Sequence, residues 1–195
     1  MPKANAPTLA ASTLLNVPLT ERLLAAAMER GADFAEVFVE RTETTSVVLE
    51  EEKVKSAQSG LAQGVGIRVL SGAKAGYAYS DDFDEEALFR AAKTAALIAR
   101  GGGSESAFKV SRAPSPTFYR LDEHLSSIAL AKKRDLVLRA NKAARAFDKR
   151  VRQVNAAYSD STKRIMVANT RGHLAEDTQD LSRLSVQVVV EGKKG

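Results

Sequence analysis

Residues 60–82 read GLAQGVGIRVLSGAKAGYAYSDD, and this stretch decides the fold class. Val65, Ile67 and Val69 alternate with Gly66 and Arg68, the period of two that belongs to a half-buried strand. Past a Ser71-Gly72 turn, Ala75, Tyr77 and Tyr79 resume that period. The spacing predicts two adjacent strands joined by a glycine turn, with one face packed and the other open. Glycine inside a strand marks a bulge or the close approach of another backbone, and Gly66 is expected to need such room.

Working outward, helix signals come first on the N-terminal side. A helix is predicted over 21–30, with Thr20 as N-cap, Leu19 and Leu24 as a hydrophobic staple and Gly31 as terminator; Leu23, Leu24, Ala27 and Met28 form its stripe. The residues before it, 1–18, hold three prolines and no apolar run long enough for a signal-peptide core or a membrane span, and are read as a flexible tail. Strands are predicted at 34–41, 45–50 and 54–58 ahead of the central hairpin. After it, Asp84 opens a second helix striped by Leu88, Phe89, Ala92, Ala96 and Leu97 and ended by Gly101-Gly102-Gly103. Pro114 and Pro116 make 101–120 an extended crossing. A third helix is predicted over 128–147, capped by Ser127, with Leu136, Val137, Ala140, Ala144 and Phe147 inward. Strands return at 151–158, 164–169 and 184–190, with a tight turn at 169–172.

The expected fold is therefore α+β, a mixed and largely antiparallel sheet with about three helices, in a domain spanning 19–195. The element order admits two readings, an internal duplication of two helix-plus-meander halves or a simple α+β meander. The chain has 195 residues, 44% hydrophobic and 27% charged, enough to bury a core and too apolar for disorder throughout. It contains no cysteine, which excludes disulfides, thiolate metal sites and a cysteine nucleophile and fits a cytoplasmic protein.

Catalytic patterns are sparse. The two histidines, His124 and His173, stand in no HExxH or HExxxH arrangement. His173 with Glu176 and Asp177 comes nearest to a metal pattern, but it occupies a predicted turn beside a glycine and reads as an exposed or hydrogen-bonded turn histidine. No serine lies in a GxSxG elbow, and the Gly64-x-Gly66 pair lies within a strand, unlike a phosphate loop. Glu50, Glu51 and Glu52 read as a solvated hairpin tip beside Lys53 and Lys55. The third helix and its exit carry Lys132, Lys133, Arg134, Arg139, Lys142, Arg145, Lys149, Arg150 and Arg152 against Asp135 and Asp148, which explains much of the net charge of +5. With no aromatic or groove-fitting motif beside it, this face reads as solvated or partner-facing, and nucleic acid is not the expected partner.

The segments GADFAEVFVERT (31–42), VVLEEEKVKSAQSG (47–60) and the hairpin itself resemble, in this order, the amino-terminal region of the TldD/PmbA metallopeptidases, and the likeness is of the TldD type. It continues through AARAFDKRV and NAAYSDSTKRIMVANTRGHLAEDT, the family's second conserved segment, so it covers about Leu19 to Val190. The resemblance implies a zinc metallopeptidase that pairs with a PmbA/TldE-like subunit and cleaves extended or unfolded peptides. It also implies that the zinc-binding HExxxH helix lies further along than Gly195, so that this chain corresponds to an amino-terminal domain. No catalytic, cofactor-binding or metal residue is carried over to it, and no cofactor is expected in this chain alone. A stand-alone interaction module, offering an exposed edge strand at 186–190 to an extended peptide, is the other expectation.

Overall fold

The computed structural model describes residues 14–99, 108–114 and 121–192. The elements run α1 (Val17–Met28), β1 (Phe34–Glu50), β2 (Lys53–Ser71), β3 (Lys74–Ser80), α2 (Glu85–Ala99), β4 (Ser111–Arg112), a single 3-10 turn (Leu125–Ser127), α3 (Leu130–Phe147), β5 (Val151–Asn169) and β6 (His173–Val190). They form one six-stranded sheet in the order β3-β2-β1-β5-β6-β4, antiparallel throughout except for the short β4, which runs parallel to β6. The α+β class with three helices is as expected. Most of the 101–120 crossing and residues 1–13 lie outside the described residues.

The strands are longer than the sequence suggests. The polar interruptions at 42–44 and 59–64 do not break β1 or β2, because β1 is hydrogen-bonded to β2 on one side and to β5 on the other along nearly its whole length. Pairing on both sides overrides weak local propensity. The same holds for β5, which runs unbroken where two strands are predicted, and for β6, which begins well before 184. Glu51 and Glu52 make the two-residue β1–β2 turn with φ of 49° and 65°, the positive pair that a hairpin of this length requires.

Helix ends also differ. Asn16, not Thr20, caps α1: its side-chain oxygen accepts from the Leu19 N–H at 2.8 Å, and Pro18 fits the first turn, where no backbone donor is needed. Thr20 lies inside the helix, its hydroxyl donating to the Asn16 carbonyl. Ser127 belongs to the 3-10 turn, and α3 starts two residues later than predicted, at Leu130.

All three helices cover the same face of the sheet, because the residues of β1 that meet α1 and α2 (Ala35, Val37, Val39) and those beneath α3 (Val47, Leu49) share one parity. The larger core joins Leu23, Leu24, Val37, Ile67, Leu88, Met166 and Leu174; each such fully buried side chain contributes about 1.5–3 kcal/mol. A smaller core under α3 comprises Val47, Leu49, Val137, Ala156 and Tyr158. Within the stripes, Leu97 is exposed while Ala91, Ala95 and Ala99 are buried, and Phe147 points into solvent at 90% exposure.

The central hairpin keeps its predicted period but divides its faces differently. Val65, Ile67 and Val69 pair with Ser80, Ala78 and Gly76, so Tyr77 and Tyr79 point to the opposite, helix-free face with Gly66 and Arg68. A Cβ on Gly76 would stand 2.0 Å from the carbonyl oxygen of Ala95, so α2 lies directly on that strand and leaves no space for tyrosines beneath it. The close backbone approach expected at Gly66 occurs at Gly76.

Candidate interaction surface

Between the two apolar cores, the covered face of the sheet carries a polar belt. Lys133 on α3, 3% exposed, reaches Asp160 Oδ2 at 2.7 Å and Thr45 Oγ1 at 3.1 Å. Nearby, Asp180 accepts from the Thr162 hydroxyl at 2.5 Å and the Leu125 N–H at 3.0 Å, and meets His124 Nδ1 at 2.6 Å. Burial would raise the Asp180 pKa, but the hydrogen bonds from Thr162, His124 and Leu125 outweigh it and hold the carboxylate below its ordinary range. Burial first, then the bond to Asp160, pushes the Tyr158 hydroxyl up to about 12. These contacts fasten α3 and the 3-10 turn to β5 and β6.

The residues singled out in the sequence are not brought together. His173 is exposed at the start of β6, its N–H directed at Asn169 Oδ1 at 3.4 Å. Glu176 pairs with Arg112 at 2.9 Å, and Asp177, next to it in a strand, points to the opposite face. Glu52 faces Arg145 across 3.5 Å at the hairpin tip. The basic residues of α3 are mostly exposed, but Lys133 is an exception that the sequence reading placed on the solvated face. The overlooked signal is the stripe Lys133, Val137, Asn141, spaced by four and all buried.

The other face carries no helix. Toward β3 it holds a depression of about 300 Å³ lined by Phe38, Glu40, Gly64, Gly66, Tyr77 and Tyr79. Toward the middle it holds a hollow of about 460 Å³ lined mainly by Thr44, Ser46, Gln58, Ser159, Ser161 and Arg183. At one side of the sheet, β6 from Ala175 to Val190 has β5 as its single strand partner among the described residues. There Val186, Val188, Val189 and Val190 are 39–51% exposed, so the edge expected at 186–190 is open.

The described residues thus form an open-faced sheet over two unequal cores, with no group of three or more His, Asp or Glu placed to hold a metal, and comparison with known proteins gives its family. Residues 35–99 match the family description PmbA/TldA metallopeptidase domain 1, and residues 123–195 match the PmbA/TldA metallopeptidase central domain. The chain belongs to the TldD/PmbA family. It is 32% identical over 162 residues to a metalloprotease TldD homolog of Buchnera aphidicola from Acyrthosiphon pisum, and 34% identical over 166 residues to that of Haemophilus influenzae. Each alignment covers 83% of this chain and 34% of the relative, so the chain spans about a third of their length. The fold is shared with a Thermotoga maritima protein described as a modulator of DNA gyrase, with TM-score 0.71 and 20% identity over 91% of this chain and 40% of that one. It is shared also with TldE of Thermococcus kodakarensis, with TM-score 0.69 and 20% identity over 90% of this chain and 40% of that one.

The relatives' name implies a metal. The described residues do not fit one: the chain has no cysteine, His124 is held by Asp180, and among the described residues no group of three or more His, Asp or Glu could hold an ion. No helix among the described residues is long and apolar enough to cross a membrane.

Proposed function

We propose that this chain supplies a non-catalytic part of a TldD/PmbA-type zinc metallopeptidase acting on extended or unfolded peptides, and that it helps form the dimer and the passage through which substrate reaches the metal. The observation that carries this reading is the helix-free sheet face, continuous with the open β6 edge, within a chain that matches the family's first and central domains. A long unpaired strand edge with exposed valines invites another chain. The partner is a PmbA/TldE-like subunit or a second copy, and the setting is cytoplasmic, as a cysteine-free chain suits. A second reading, a stand-alone module that captures extended peptides by strand addition, draws on the same edge. An HExxxH helix in frame in the same gene favours the first reading, and its absence favours the second.

Metal analysis, digestion of an unfolded polypeptide and light scattering after mixing with a TldE-type subunit test the proposal. The chain alone should hold no stoichiometric zinc and cleave nothing, and the mixture should contain a complex larger than either component. One tightly held zinc per chain, lost on His173→Ala and Glu176→Ala, would overturn it.

A further inference from the structure

We propose that the depression beside β3 binds a lysine or arginine side chain of an extended peptide; this rests on the peptide-handling reading above and names its substrate class. It is lined by Gly64, Gly66, Phe38, Tyr77 and Tyr79, the Tyr77 ring lying across Gly66, and the three aromatic residues are 38%, 60% and 76% exposed. Phe147 apart, these are the large exposed aromatic side chains of the described residues, gathered at one place. An aromatic patch left facing water marks a binding surface.

Charge selects the guest. Ring faces attract cations, and the chain that leaves β3 is acidic. Glu40 lies in the lining, with Lys163 Nζ 2.8 Å from its Oε2. The carbonyl oxygen of Ser80 is 3.5 Å from where a Cβ on Gly64 would stand, and Asp81 and Asp82 follow Ser80 in the chain, Asp82 Oδ1 accepting from the Asp84 N–H at 3.0 Å. Both are exposed, and neither has an ion-pair partner among the described residues. On the same face Glu36 is matched by Arg68, so the uncompensated negative charge is that of the two aspartates. The larger hollow offers hydroxyls and Arg183 and has no comparable attraction for a basic chain.

The backbone selects an extended guest. β3 is the outermost strand of the sheet, with β2 its single strand partner among the described residues. Tyr77 and Tyr79 are two residues apart on one face, the repeat of an extended segment laid alongside, whose alternate side chains would meet them.

The test is fluorescence anisotropy of the whole chain with a dye-labelled peptide of alternating lysine and threonine, and with a counterpart in which every lysine is glutamate. The lysine peptide should bind and the glutamate peptide should not. Tyr79→Ala and the double variant Asp81→Asn, Asp82→Asn should each weaken binding about tenfold. All three positions are exposed, so these variants should melt like the parent. Equal binding of the two peptides, or unchanged binding by Tyr79→Ala, would overturn the site while leaving peptide handling elsewhere on the chain intact. Failure to bind either peptide would overturn it together with peptide handling by this chain.

Discussion

Lys133 Nζ and Asp160 Oδ2 lie 2.7 Å apart with both side chains almost wholly out of water, and this contact joins α3 to the middle of β5. Few apolar side chains help it, since on α3 only Val137 is a fully buried hydrophobe. Lys133→Ala strands a buried carboxylate and should cost about 3–5 kcal/mol, whereas Lys133→Met combined with Asp160→Leu should cost far less. Urea unfolding measures both. A single-variant loss below about 1 kcal/mol would mean the pair adds no more than a surface one.

Tyr158 shares that neighbourhood. Unfolded tyrosine loses its proton near 10, whereas the folded one holds it up to about 12. Between those values the native state binds more protons than the unfolded state, so stability falls as pH rises through the window. Tyr158→Phe should flatten that slope. If the variant loses stability with pH as steeply as the parent, Tyr158 is not its source.

Asp180 is one contributor on the acid side, beside Asp148, whose carboxylate is held down to about 2 by its hydrogen bonds from Arg150. The folded pKa of Asp180 is below the unfolded value of about 3.9, so its contribution is present above that value and disappears as pH falls through the lower, folded one. Asp180→Asn should cost about 1–3 kcal/mol at neutral pH and make the acid limb shallower. Unfolding curves collected from neutral pH into acid give both quantities, and an unchanged acid limb would contradict the assignment.

The two glycines of the hairpin should behave in opposite ways. Gly76→Ala drives a Cβ into the backbone of Ala95 and should cost about 1–3 kcal/mol or more. At Gly66 a Cβ would meet the Tyr77 hydroxyl at 2.6 Å, the far end of an exposed side chain that can swing aside. Gly66→Val should therefore change stability by no more than about 1 kcal/mol. Thermal melts that rank the two the other way would refute the packing of α2 on β3.

The β6 edge should make the isolated chain self-associate. Val188→Lys, a charge set among the exposed valines, should shift sedimentation toward monomer. A parent chain that is monomeric at every concentration would rule this out.

By itself the sequence determined the period of each element, the turns at Glu51-Glu52, Gly72 and Gly172, and, through its glycine-rich hairpin, the family. These are local properties: alternation, backbone freedom and helix spacing are written within a few neighbouring residues. Tertiary structure decided how far each strand runs, since β1 crosses its polar middle only because β2 and β5 flank it. It also decided which face Tyr77 and Tyr79 take, through the α2 backbone pressed against Gly76. The partnership of Lys133 with Asp160 was decided there too, because nothing near either residue in the chain marks the other, and only α3 lying across β5 removes both from water.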